Sequence, residues 1–166
     1  MKILRTPDEC FDNLEDYPFE PNYIDIEHND QTLRMHFLDE NSESEEIVLL
    51  MHGEPTWSYL YRKIIPILVF NGKRVIAPDL IGFGKSDKPA SREDYSYANH
   101  IMWVETLIKK LDLKNIIFFA QDWGGLIGLR LLAKYPDLYE GLVVSNSGLP
   151  VGSGATEGFM QWLDFS

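Results

Sequence analysis

The chain has 166 residues, of which 45% are hydrophobic and 13% aromatic, enough for one globular domain with a substantial core. Its net charge of −11 argues against nucleic acid or an anionic membrane surface as a partner. The single Cys10 excludes an internal disulfide and fits the reducing cytoplasm, the opening Met1 to Pro7 has no apolar signal-peptide core, and no apolar run reaches the roughly 18–20 residues that span a bilayer.

Residues 1–21 carry Pro7, Pro18 and Pro21 among polar and aromatic residues and read as an irregular arm. Tyr23 to Glu27 and Leu33 to Asp39 alternate apolar and polar around His28-Asn29-Asp30-Gln31, the pattern of an antiparallel hairpin. Asn41 to Glu46 is a charged loop. Ile47 to Met51 is the next buried strand and ends on His52-Gly53-Glu54-Pro55-Thr56-Trp57. A single helix is expected from about Ser58 to Phe70, stopped by Asn71-Gly72. Arg74 to Ala77 reads as a strand, and Pro78 to Asp87 as a Gly-rich loop. Tyr97 to Leu111 is a helix with Ile101, Val104, Leu107 and Ile108 on one face. Ile116 to Phe119 is a strand buried on both faces, and Leu126 to Lys134 the helix after it; Gly141 to Ser145 reads as one more buried strand. From Gly148 to Thr156 the chain is rich in Gly, Ser and Pro, and an amphipathic fragment with Phe159, Trp162 and Phe165 follows. The pattern divides the chain into a core over 1–147 and the start of a second, covering element over 148–166.

Strands alternating with helices after one hairpin predict an α/β fold: a mostly parallel, doubly wound sheet with helices on both faces. Ligands of such sheets bind beyond the carboxyl ends of the strands. Three marked turns leave those ends, His52 to Trp57, Asp79 to Asp87 and Gln121 to Gly125, and should converge on one crevice. The last contains Ala120-Gln121-Asp122-Trp123-Gly124, the small-x-nucleophile-x-small spacing of a nucleophile elbow, with an aspartate presented. The first amides of the following helix are expected to point at that carboxylate. An ionised carboxylate is a competent nucleophile toward an electrophilic carbon. The plainer alternative makes Asp122 only a helix N-cap. His52, between a strand and a glycine, reads as a hydrogen-bonded structural histidine.

On these motifs, together with His52-Gly53-Glu54-Pro55-Thr56-Trp57-Ser58-Tyr59-Leu60-Tyr61-Arg62 and Gly82-Phe83-Gly84-Lys85-Ser86-Asp87-Lys88-Pro89, the chain resembles the haloalkane dehalogenases, an α/β-hydrolase family. The likeness is to the subfamily with two halide-binding tryptophans. It implies that Asp122 attacks a halogen-bearing carbon, expelling halide and leaving an alkyl ester. It implies an oxyanion hole from the backbone amides of Glu54 and Trp123, and halide binding by the indoles of Trp123 and Trp162. Phe159 and Leu126 would line the substrate pocket, with a small halogenated alkane and a halide ion as ligands and no cofactor or metal. Trp123 as a core aromatic and Trp162 as part of a packing stripe are the competing readings.

The family's histidine base and its acidic partner match nothing here; His28, His36, His52 and His100 occupy other places. The chain therefore reads as the N-terminal part of such an enzyme, stopping inside the first cap helix, with complete turnover unsupported. Its last strand, 141–145, would present an open edge and lead to self-association. An epoxide hydrolase, which also uses an Asp in an Asp-Trp-Gly turn, and an inactive fragment remain as alternatives.

Overall fold

The computed structural model describes residues 1–148 and 156–165. In chain order its elements are β1 (Ile3–Leu4), β2 (Asn22–His28), β3 (Gln31–Glu40), β4 (Ile47–Met51), α1 (Ile65–Phe70), β5 (Arg74–Pro78), β6 (Lys88–Pro89), α2 (Tyr97–Lys110), β7 (Ile116–Gln121), α3 (Trp123–Lys134), β8 (Tyr139–Ser145) and α4 (Glu157–Phe165), with short 3-10 turns between some of them.

Six strands form one sheet in the order β2-β3-β5-β4-β7-β8. The β2–β3 and β3–β5 pairings are antiparallel, whereas β5, β4, β7 and β8 run parallel to one another. The hairpin turns on Asn29 and Asp30, both left-handed with φ of 47° and 57°, which matches the right-handed twist of the flanking strands. All five residues of β4 are buried, because it lies mid-sheet and is covered on both faces. Ile47, Leu49 and Met51 meet Trp103, Val104 and Leu107 of α2 and Ile127 and Leu131 of α3. Val48 and Leu50 face the opposite way, onto Tyr61 and Ile65 at the start of α1. Each such fully buried aliphatic side chain contributes roughly 1.5–3 kcal/mol.

Three expectations change. The first 21 residues are not wholly irregular: Ile3 and Leu4 pair antiparallel with Pro89 and Lys88, and Asp8–Phe11 is a 3-10 turn. The helix expected from Ser58 to Phe70 is two pieces, a 3-10 turn over Ser58–Tyr61 and then α1. Pro66, at the first turn of α1, lacks the N–H that a continuous helix would need there, so it serves as a starter instead. Gly141 to Ser145 lies at the edge of the sheet, as expected, but is not a buried strand: Leu142 is 45% and Val143 47% exposed. The strand is apolar enough to be buried, and nothing among the described residues covers its outer flank.

Candidate active site

At the carboxyl end of β7 the chain reverses into α3 through Asp122, whose φ of 53° and ψ of −127° no ordinary strand or helix residue adopts. The bend requires bare glycines around it. A Cβ on Gly124 would overlap the carbonyl oxygens of Met51 and His52, and one on Gly53 would overlap the Asp122 carboxylate. A Cβ on Gly128 would enter the ring of Phe118, so α3 sits closely on the sheet.

Asp122 occupies the N-cap position of α3, yet its side chain caps nothing. The amides of Gly125 and Leu126 go to its backbone carbonyl, not to its carboxylate. The expectation that helix amides would reach the carboxylate is therefore corrected. The backbone N–H of Glu54, on the neighbouring β4 turn, donates to Asp122 Oδ1 at 2.9 Å. Among the described residues Oδ2 has no hydrogen-bond donor. One oxygen is thus pinned and the other is free.

Beneath the two turns lies a buried polar frame. His52 is fully buried; its Nδ1–H donates to the Gly53 carbonyl at 3.0 Å and its Nε2 accepts from the Leu80 amide at 2.9 Å. These partners fix the neutral tautomer, and burial pushes the imidazole pKa below its ordinary value. It is a structural histidine that ties the β4 turn to the loop after β5. That loop is organised by Asp79, which accepts from the amides of Ser58 and Lys85 and from His36 Nδ1, each at 2.8 Å. Burial alone would raise the Asp79 pKa. His36, His52 and the Lys85 amide together outweigh it and hold the carboxyl below the usual carboxylate range. Asp87 closes the loop, accepting both Arg5 guanidinium bonds at 2.7 and 2.9 Å and the Arg34 amide at 2.9 Å.

The three turns do converge. They border a cleft of about 570 Å³ lined by Glu54 from the first, Leu80, Gly82 and Phe83 from the second, and Trp123 from the third. Its far wall was not anticipated from sequence: Arg92, Tyr95, Ser96, Tyr97 and His100, from the segment entering α2. Ser96 caps α2 by accepting the Asn99 amide at 3.1 Å, and this places Tyr97 and His100 toward the cleft. Tyr97 donates to the Leu126 carbonyl at 2.7 Å and leans on the Trp123 ring at 6.3 Å between centroids. Burial, then the neighbouring His52, brings the His100 pKa down to about 4, so the ring is neutral near pH 7.

Of the expected pocket residues, Trp123 lines the cleft and Leu126 does not; Ile127, one residue on and buried, takes that place. A helical step of 100° turns Leu126 aside. Phe159 stands on α4, half exposed, and is not among the cleft-lining residues. Trp162 belongs to α4, but its side chain lies outside the described residues. Trp57 is packing, stacked on Tyr59 and edge-on to Phe11.

Residues 46–164 match the sequence family of the alpha/beta hydrolase fold. The chain belongs to the α/β-hydrolase fold family. Among α/β-hydrolases it is 55% identical, along its whole length, to a haloalkane dehalogenase of Psychrobacter cryohalolentis, and 51% identical to one of Mycolicibacterium paratuberculosis. It covers 55% and 56% of those proteins, so it spans just over half the length of the curated relatives it matches. A tetrameric haloalkane dehalogenase from Paraglaciecola agarilytica superposes with a TM-score of 0.93 at 44% identity, over 99% of this chain and 56% of that one. An epoxide hydrolase mutant from Vigna radiata superposes at 0.67 with 30% identity, over 78% of this chain and 40% of that one.

Proposed function

We propose that this α/β-hydrolase chain carries the nucleophilic half of a haloalkane dehalogenase and, in a protein of its relatives' length, converts haloalkanes to alcohols and halide. The observation that carries the proposal is the Asp122 carboxylate, held by one oxygen on the Glu54 amide beside a cleft lined by Trp123. In the first step Oδ2 attacks the halogen-bearing carbon from behind. The carbon–halogen bond breaks, the halide leaves with the electron pair, and an Asp122 alkyl ester remains. Indole N–H groups suit the departing ion because they donate without competing as nucleophiles, and Trp123 with Trp162 are assigned this role. In the second step water adds to the ester carbonyl carbon, the Cγ–Oδ2 bond breaks, the alcohol leaves with Oδ2 and a proton that came from the water, and the Asp122 carboxylate is regenerated with the water oxygen. The developing oxyanion then sits where Oδ1 already meets the Glu54 amide; the Trp123 amide, which makes no bond to the carboxylate in the resting site, is assigned as the second donor once the carbonyl becomes tetrahedral.

That second step needs a base for the proton of water. Among the described residues His52 has both nitrogens engaged and His36 holds Asp79. His100 reaches the cleft, but a group titrating near 4 is a weak base at neutral pH. We assign residues 1–147 to the hydrolase core and 148–166, including Phe159 and Trp162, to the opening of a cap, and place the protein in the cytoplasm. No helix among the described residues is long and apolar enough to cross a membrane.

The test is intact-mass spectrometry after incubation with a short bromoalkane, with free bromide measured in parallel. We expect one alkyl adduct and one bromide per chain, and neither for Asp122→Asn. Sustained bromide release would show that a residue present here does act as the base. The Vigna radiata likeness keeps an epoxide hydrolase in view; an adduct with styrene oxide and none with bromoalkane would favour it.

A further inference from the structure

The strand after the elbow reaches back to it. Beyond β8 the backbone turns left-handed at Asn146, φ 49°, a conformation asparagine tolerates. This brings Ser147 against the start of α3. Its hydroxyl donates to the backbone carbonyl of Asp122 at 2.8 Å. The same oxygen also accepts from the amides of Gly125 at 3.0 Å and Leu126 at 3.3 Å, so three donors converge on it. The fit is close: Ser147 Oγ and Cβ occupy the space a Cβ on Gly125 would need. Ser147 is half-buried and touches the reacting residue only through its main chain.

We propose that Ser147 is a positioning residue for the Asp122 nucleophile, latching the elbow to the end of β8. The inference rests on the dehalogenase reading for the reaction it serves. Strained backbone of the kind at Asp122 persists only where surrounding contacts over-determine it. Two of the three donors belong to α3 and move with the elbow. Among the described residues only Ser147 ties the Asp122 carbonyl to the chain leaving a different strand, and so fixes how the carboxylate stands over the Glu54 amide. The latch also explains the second glycine of Asp122-Trp123-Gly124-Gly125: position 125 stays bare to admit the serine.

The test compares the full chain with Ser147→Ala and Ser147→Thr. Alkylation of Asp122 by 1-bromobutane is followed by mass as a function of its concentration, and amide exchange is measured by segment. Loss of one neutral hydrogen bond at the elbow predicts a maximal alkylation rate roughly five- to tenfold lower for Ser147→Ala, with the half-saturating concentration unchanged. Exchange at the Gly125 and Leu126 amides rises, exchange in β4 and β5 does not, and Ser147→Thr, which keeps the hydroxyl, recovers the rate. A Ser147→Ala chain that alkylates at the original rate overturns the proposal. So does a loss of rate accompanied by loss of protection throughout the sheet, or a Thr variant as slow as the Ala variant. A folded wild-type chain that takes no alkyl group overturns the dehalogenase reading instead. Amide exchange at Gly125 and Leu126 then decides on the latch by itself: unchanged exchange in Ser147→Ala overturns it as well.

Discussion

Asp122 owes its chemistry to what its neighbours lack as much as to what they supply. Gly53 and Gly124 leave room for the carboxylate and the bend, and the Glu54 amide holds one oxygen while the other stays open. The titrating residues around the site also set how the fold responds to acid. His52, buried, and His100, partly buried at the cleft, have folded pKa values below 6.5, the latter at about 4. A depressed histidine binds its proton more readily in the unfolded chain, so its stabilising contribution is complete above about pH 6.5 and is lost as pH falls toward the folded value. Asp79 works in the same direction lower down, because its depressed carboxyl favours the fold above the unfolded value of 3.8 and not below. We expect the thermal midpoint to hold above pH 7 and to fall between about pH 6.5 and 4. His100→Phe should flatten that slope; an unchanged slope would mean that His100 titrates normally.

Among the elements, the β2–β3 hairpin offers the clearest stability test. Asp30 holds φ 57° at the second turn position, where a two-residue turn of this hand favours glycine. Relieving a left-handed non-glycine residue should stabilise the fold, so Asp30→Gly is expected to gain about 0.5–1 kcal/mol in urea unfolding. A loss would mean that unfolded-chain entropy dominates at this turn. The hairpin, the buried strands and the elbow were legible in the sequence because each rests on local pattern: period-two alternation, an apolar run, small residues flanking Asp122. The split of the expected Ser58–Phe70 helix follows from Pro66, whose missing N–H the run of apolar residues does not reveal. The wall of Tyr97 and His100 and the reach of Ser147 had no local signal. They depend on the angle at which α2 enters the cleft and on the way β8 ends, which only the packed sheet specifies. Leu126 stands one residue from the cleft-lining Ile127, a 100° step about the helix that position in the sequence alone does not resolve.

At the scale of the whole molecule, the sheet ends in two unlike edges, the partly buried β2 and the more exposed β8. On the β8 side, Leu142 and Val143 stand nearly half exposed along an edge whose outward N–H and C=O groups have no strand to meet among the described residues. Such an edge is a template for pairing with another copy. We expect this chain to self-associate with rising concentration in sedimentation velocity, and Val143→Lys to shift it toward monomer. A wild-type chain that stays monomeric across the range, with a cooperative melt, would refute this reading of the edge.

The order β2-β3-β5-β4-β7-β8 has a further consequence, in time. Of the two central strands, β4 leaves the ribosome before either neighbour it will pair with, β5 on one side and β7 on the other. At ~5–20 residues per second, roughly 4–14 seconds of synthesis separate β4 from the end of β7. Through that interval an entirely apolar segment, Ile47 to Met51, is without the strand that closes its second edge. The most protected part of the finished protein is therefore the part longest in need of shelter while it is being made.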